Sequence, residues 1–599
     1  MALFLLALWA PLAWVAAWTV YSWYCLYRNY REARTLGVPI RIIPIDHLNK
    51  LWLLVDKQVV SLVRKLPGPL GNNNFTRFNY RGWHEDDGLR AHDEMGEAFV
   101  LVTPSRNWFY LADPEALFNM YRRGKDFPRW VEITKMLDVF GGPTIATASG
   151  EQWRRIRKIS NSCLNEQCNA VVWAESAALG DAMAQYWASR GVFTSVGEDS
   201  RTVTLHVLSK ACFGQSFAFE GHDERRPASA SASFRFSLLT VMENALLLMA
   251  LTPRFFTNPW MPLPAAWRRL GKACDEFRSH MSYFYNREVR ALKEGGRQKA
   301  DYTLMAALVR ASQQRPEGKE EGEDQFANLT EAEIYGNMFV FAFAGHDTTA
   351  HLLTYAVFFL AANPSVQDWL ASELRHVLGD RPRSQWDYHA DFPRLRRCLA
   401  VLYETLRVKT PVCEVKWTAD RAQQLDVHVA GRAQPVTLPP RTLIIPSYLY
   451  VHKHVRYWGP DAGEWRPERW IGVRGVFGDN VDGEGWHAGN NDACRSAKGG
   501  RSSCPEEEVL LSPPSRGNYL GWSEGARDCP GKRFSQVEWV AFLAALFRDW
   551  KVEPQRREGE TFADARTRVL DFVEADSGYG GLLLQLMHPE KVPLVWSRR

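Results

Sequence analysis

The sequence predicts a mainly α fold with a small β region, preceded by one N-terminal transmembrane helix. Three observations carry that expectation. From 168 to 361 apolar residues recur with helical spacing and β-branched clusters are few. Strand-like runs are confined to short stretches such as 98–112 and 578–586. Residues 1–27 contain no Asp, Glu, Lys or Arg, which exceeds the roughly 20 apolar residues needed to span a bilayer.

Composition bounds the rest. A chain of 599 residues with 46% hydrophobic and 24% charged residues can bury a large core. The formal charge of +5 is small and dispersed, so no nucleic acid partner is expected. A secretory signal would start basic and carry a shorter apolar core. Here the segment starts uncharged and ends at Arg28, Arg31 and Arg34. It reads as a retained anchor, with the N-terminus lumenal and everything after Arg28 cytosolic. The ten cysteines would then be reduced, and the Asn-x-Thr sites at Asn74 and Asn328 would escape glycosylation.

Taken in order, 28–94 reads as a linker and membrane-proximal segment. Within it 51–66 is amphipathic and closes at Pro67-Gly68-Pro69; its apolar face suits a membrane surface or the core equally. A β-hairpin is expected over 98–112, broken at Pro104, with a short helix from Pro114. After a loop-like stretch, 129–150, a helix opens at Glu151 and sets Trp153 and Arg157 four apart on one face. The run 234–256 is strongly apolar, and 315–324, rich in Glu, Gly and Lys, reads as an exposed loop.

Thr330 and Glu333 form a capping box that opens a long apolar helix. Inside it lie Gly345, His346, Asp347 and Thr348. A carboxylate and a hydroxyl among apolar residues cost free energy unless they serve each other, water or a ligand. The plainer reading is a threonine bonded back to the i−4 carbonyl. Helices are expected over 365–378 and 393–408, the second placing Glu404 and Arg407 three apart. Glu151 with Arg154 and Glu294 with Arg297 have the same spacing, so that pair says little alone. The 49 residues 471–519 are rich in Gly, Asp, Asn, Ser and Glu and read as a flexible surface insertion. Cys494, Cys504 and His487 within it are too few for a zinc site. A helix over 534–547 and a terminal hairpin over 578–586 complete the chain.

The chemistry concentrates at Cys529. It is preceded by Gly525 and Arg527 and followed by Gly531, ahead of the apolar run 537–547. A thiolate needs N–H groups and a nearby cation, and glycines let backbone fold close to sulfur. An isolated cysteine in a turn is usually structural; here the spacing outweighs that. The stretch resembles the haem-binding signature of the cytochrome P450 family, Phe-x-x-Gly-x-Arg-x-Cys-x-Gly. Only the first position differs, with Trp522 in place of phenylalanine.

The resemblance implies haem b with Cys529 as axial iron ligand, Gly531 beside it, and Arg527, Trp153 and Arg157 at the haem propionates. It implies that Gly345 opens the long helix over the haem, and that Asp347 and Thr348 deliver protons to iron-bound dioxygen. His346 falls at a variable position and has no implied role. Glu404, Arg407 and Arg469 of Pro467-Glu468-Arg469-Trp470 would form a buried structural network behind the thiolate loop. The implied organisation is an anchor (1–27), a linker (28–94) and one haem domain (95–599). The implied activity is monooxygenation of a lipophilic small molecule in secondary metabolism, at the endoplasmic reticulum membrane. Electrons would come from NADPH through a separate NADPH-cytochrome P450 reductase, with cytochrome b5 as a further partner. Substrate contacts are expected in 129–150, 234–256, the long helix, 410–415 and 577–581. Two other readings are a haem-thiolate isomerase or dehydratase needing no external electrons, and a non-catalytic haem carrier. Thr348 argues against the first, since that chemistry has no oxygen to protonate, and the Asp347–Thr348 pair against the second.

Overall fold

A computed structural model describes residues 2–49, 51–132, 134–222, 230–294, 302–313, 328–429, 431–473, 505–580 and 583–599. The expected loop at 315–324, most of the insertion with Cys494, Cys504 and His487, and Gly581 lie outside the described residues. Helices dominate, as the periodicity predicts. The longest in the core, Glu331–Ala362, is capped by Thr330 and Glu333 as expected, and 24 of its 32 residues are buried. A helix wrapped on every side cannot be amphipathic, which explains its near-continuous apolar run.

Around this central helix pack Val196–Phe213, Leu304–Gln313, Arg396–Val408 and Phe562–Ala575. The helix that follows the cysteine, Lys532–Phe547, lies against Glu166–Arg190. Their approach is close because a Cβ on Gly180 would sit 2.9 Å from the Cβ of Ala545. The largest apolar cluster joins these helices.

The main sheet has five strands in the order Ile40–Ile42, Ala98–Val102, Asn107–Leu111, Leu443–Pro446, Lys416–Trp417. Its first pair is parallel, its second the expected hairpin, with Phe99 opposite Tyr110. Smaller sheets include Ser577–Gly580 with Leu583–Leu586, the expected terminal hairpin.

Two parts of the chain differ from the sequence reading. The stretch 28–94, expected as a linker, contributes the edge strand Ile40–Ile42 and an apolar cluster built on Trp52, Phe78 and Trp83. The helix Trp52–Val63 packs on the core, the second of its two expected readings: Trp52 and Val60 are buried in that cluster, whereas Leu51, Val55 and Leu62 are exposed. The insertion is also anchored at both ends. Ile471–Val473 pairs antiparallel with Glu508–Leu510, and Glu508 is buried against Arg397, which donates to it at 2.7 and 2.9 Å. Sequence reading missed this because Glu508 sits in a polar, low-complexity context.

At the N-terminus a helix runs from Ala2 to Ala33. Its last turns belong to the core, since Leu26 and Ala33 are buried and the Asn29 amide donates to the carbonyl of Thr103 at 2.9 Å. Among the described residues, no single helix is long and apolar enough to cross a membrane. The apolar run 234–256 forms two helices bent by 110°, which pass that test only as a pair.

Candidate active site

The loop Gly521–Gly531 places the cysteine. Gly525 has φ +76°, and a Cβ there would lie 2.6 Å from the Tyr121 carbonyl, so only glycine fits this turn. The Cys529 N–H donates to the Trp522 carbonyl at 2.8 Å. A Cβ on Gly531 would sit 3.8 Å from Sγ of Cys529. Burial pushes the Cys529 thiol above its ordinary value, while the Gly531 backbone, Arg157 and Arg129 pull it down. Cys529 lines a cavity of about 360 Å³.

That cavity gathers most of the expected residues. Cys529, Gly531, Arg527, Trp153, Arg157, Gly345 and Thr348 all line it. Arg157 donates to the Asp528 carbonyl at 2.7 Å and pairs with its carboxylate. The Arg527 guanidinium lies 4.5 Å from the centre of the Trp153 ring and donates to the Ala148 carbonyl at 2.8 Å. Trp153 thus provides a platform for Arg527. Burial, with Arg129 and Arg157 nearby, lowers Arg527 to about 10. Arg129, which motif reading passed over, enters through Glu414: Nε donates to it at 2.7 Å. Glu414 is held at about 2, because Arg129 and Lys416 outweigh its burial. The signal for this pair was only a charged residue in an apolar run, which is weak without the fold.

The electrostatics of the rim suit an anion. Three guanidiniums reach one rim, and Nη1 of Arg527 is buried without a hydrogen-bond partner. A buried donor without a partner is costly, and a carboxylate seated there would satisfy it. A thiolate-capable floor, apolar walls of Ile145, Ala146, Leu208, Val340 and Leu352, and a cationic rim fit a haem with its propionates at Arg527 and Arg157.

On the central helix the structure separates the two residues expected to act together. Thr348 is half-buried, lines the cavity, and donates to the Ala344 carbonyl at 2.8 Å. Its hydroxyl therefore makes the i−4 bond of the plainer reading and still faces the site with free lone pairs. Asp347 does not line the cavity. It accepts from Arg201 at 2.9 Å, with Nδ1 of His346 3.4 Å away. Burial opposes its ionisation, but His346, Arg201 and His351 hold Asp347 below the usual carboxylate range.

Behind the cysteine loop lies the charged network. Glu404 accepts from Nε and Nη2 of Arg407 at 2.8 Å each and from Nε of Arg469 at 2.9 Å. All three side chains are 0% exposed. The tryptophan that replaces phenylalanine at 470 adds a donor, its indole N–H reaching Glu404 at 2.9 Å. Arg407 also donates to the His452 carbonyl at 2.6 Å, and His452 accepts from the Leu520 N–H at 2.8 Å, which ties the network to the cysteine loop.

Of the substrate-contact segments expected from sequence, 129–150 contributes Arg129, Ile145 and Ala146, and 410–415 contributes Pro411 and Val412. Among the described residues, 234–256 and 577–580 do not reach the lining, whereas Leu208 and Leu304, unforeseen, do. Those leucines come from helices whose sequence carries only a core-packing pattern.

Fold and site together define a haem-thiolate protein. Residues 86–573 match the model of the cytochrome P450 family. The chain belongs to the cytochrome P450 family and is an oxidoreductase of the monooxygenase class. It is similar to a cytochrome P450 monooxygenase of Arthrobotrys oligospora, 27% identical, with 91% of each chain covered. It is 26% identical to the phomenoic acid biosynthesis cluster cytochrome P450 monooxygenase of Leptosphaeria maculans, covering 92% of this chain and 93% of that one. A cytochrome P450 monooxygenase of Penicillium roqueforti is 25% identical, with 87% of each covered.

Proposed function

We propose that this protein inserts one oxygen atom of dioxygen into a lipophilic small molecule, using electrons from NADPH passed by a separate reductase. One observation carries the reading: Cys529 and Thr348 line a single cavity whose remaining wall toward the central helix is apolar except at Thr349. When bound, haem supplies the iron chemistry that activates dioxygen. The chain's residues do the rest. Cys529 would ligate the metal, with the Gly531 backbone stabilising charge on sulfur. Arg527 and Arg157 would orient the cofactor through its carboxylates. The apolar wall excludes bulk water and receives an uncharged substrate. Thr348 can hold a proton or an ordered water at Oγ1. Asp347, paired with the partly exposed Arg201, connects that helix turn to solvent.

A redox partner finds support in a second cavity of about 830 Å³ that shares Arg129, Trp153 and Arg527 with the first. Arg122, Arg123, Lys125 and Arg154 outnumber Asp126 and Glu524 in its lining, a field suited to an acidic partner such as a reductase or cytochrome b5. The uncharged stretch 1–27 before Arg28, Arg31 and Arg34 supports an anchor in the endoplasmic reticulum membrane with the catalytic domain in the cytosol. The name of the Leptosphaeria maculans relative supports a role in secondary metabolism.

The test is reconstitution with NADPH and a reductase against a lipophilic library. Oxygenated product that needs both NADPH and dioxygen is expected from the wild type and none from Cys529→Ser. Substrate conversion without any electron donor would instead place the protein with the haem-thiolate isomerases and dehydratases.

A further inference from the structure

The segment 138–148 serves the site on two sides. Ile145 and Ala146 form part of the cavity wall, and the Ala148 carbonyl accepts from Arg527 on the cofactor side. The segment is folded on itself: the Thr144 N–H donates to the Thr147 hydroxyl at 2.8 Å, and that hydroxyl donates to Asp138 at 2.6 Å. Its position relative to the central helix is set elsewhere.

Asn337 sets it. The side chain is 0% exposed and uses both ends of its amide. Nδ2 donates to the Glu333 carbonyl at 2.7 Å, one turn back on its own helix. Oδ1 accepts from the Ile145 N–H at 2.8 Å, across 192 residues of sequence. The first bond orients the amide and the second holds the wall. Beside it the two backbones touch. A Cβ on Gly336 would lie 2.2 Å from the Gly141 carbonyl, and one on Gly141 would lie 2.2 Å from the Ala332 carbonyl. Phe140 packs on Phe339 at 5.3 Å between ring centres. No apolar residue at 337 could satisfy the buried Ile145 N–H, whose loss of a partner is relieved only if the segment moves.

We propose that Asn337 is a specificity-determining positioning residue. By holding the Ile145 backbone against the central helix, with Gly336 and Gly141 in contact, it sets the width of the cavity. It stands about three helical turns before Thr348 and acts on the ligand only through the wall. The proposal rests on the preceding reading only in taking this cavity as the ligand site.

The test uses full-length, haem-loaded protein and two ligands whose nitrogen binds the iron directly, imidazole and a triphenylmethyl imidazole, with affinities read from spectral shifts. Asn337→Ser keeps a hydroxyl that can bond the i−4 carbonyl of Glu333 but cannot reach Ile145. Gly336→Ala drives the same backbone away without touching Asn337. Both variants are expected to tighten the bulky ligand about five- to tenfold relative to imidazole, the scale of one buried hydrogen bond. In an Ile145→Ala background, where the wall is already cut back, Asn337→Ser should add less than about twofold. An unchanged ratio of the two affinities in whichever of these variants retains the thiolate-type carbon monoxide spectrum overturns the proposal. So does a full effect that persists in the Ile145→Ala background. Neither readout needs turnover, so failure here is distinct from failure of the monooxygenase reading.

Discussion

Arg527 stacks on Trp153, with the guanidinium carbon 4.5 Å from the ring centre, and leaves Nη1 buried and unpaired at the cavity rim. The aromatic platform fixes the cation's direction while the ring's negative face offsets part of its desolvation. Removing the cation while keeping the platform should weaken cofactor retention without changing the iron ligand. Arg527→Leu is expected to release haem about tenfold faster to an apo-globin acceptor, the scale of a lost charge-assisted bond, with its carbon monoxide spectrum still of thiolate type. Unchanged release would assign the propionates to other groups.

Glu404 offers a pH test. Burial alone would raise its pKa, but Arg407 and Arg469 bring it from 4.5 to about 2. A depressed carboxylate contributes stability above its unfolded value and loses it as pH falls through the folded one. Glu404→Gln leaves the buried Arg407 without a counter-charge and Arg469 with Asp461 alone, a cost of about 3–5 kcal/mol. The gap in urea stability between wild type and variant should be full above about pH 4.5 and close toward pH 2. A gap independent of pH would mean that packing, not charge, is lost.

Thr348 and Asp347 should separate in their effects because they occupy different surfaces. Thr348→Ala removes one of the two threonines of that turn, Thr348 and Thr349, that line the cavity. It should still bind haem and consume NADPH, with much of the flux diverted to peroxide. Asp347→Asn weakens the link to Arg201 and should slow turnover with less diversion. Product formed per NADPH consumed measures both. Equal coupling in wild type and Thr348→Ala would remove Thr348 from proton delivery.

Joining Val473 directly to Pro505 should preserve haem binding. The two strands face each other at Val473 and Glu508, so Pro505, Glu506 and Glu507 remain as a short hairpin connection. Deleting 471–519 whole should instead destabilise the protein by about 3–5 kcal/mol, since Arg397 loses Glu508 and stays buried. Thermal melts of the two deletions decide it; equal stability would show that the Arg397–Glu508 pair is dispensable.

Truncation of the proposed anchor should respect the point where it meets the core. Deleting 1–24 spares Leu26 and Asn29, which are buried against the sheet. That protein should lose resistance to carbonate extraction and keep its haem. Deleting 1–33 should also lower thermal stability, because the Asn29 bond to Thr103 goes with it. Carbonate resistance in the shorter truncation would show a second site of membrane integration.

The cysteine motif and the capping box at Thr330 and Glu333 were legible because each is a local pattern with a local cause, whereas the Glu404–Arg407 spacing, shared with Glu151–Arg154 and Glu294–Arg297, gained meaning only beside the family resemblance. Signature glycines are needed within a few residues of the sulfur, and a cap is complete within one turn. The mainly helical class was legible for the same reason, since a 3.6-residue period is written along one segment. Glu508, Arg129 with Glu414, and Leu208 left no such trace. Each matters through a partner hundreds of residues away or on another element: Glu508 at Arg397, Glu414 at Arg129, Leu208 against Gly345. Asp347 and Thr348 show the limit most directly. The sequence by itself determined that a carboxylate and a hydroxyl stand side by side on a buried helix. Only the tertiary structure decided that they face different neighbours, because adjacent positions on a helix are turned about 100° apart, and packing alone selects which of those directions meets Arg201 and which meets the cavity.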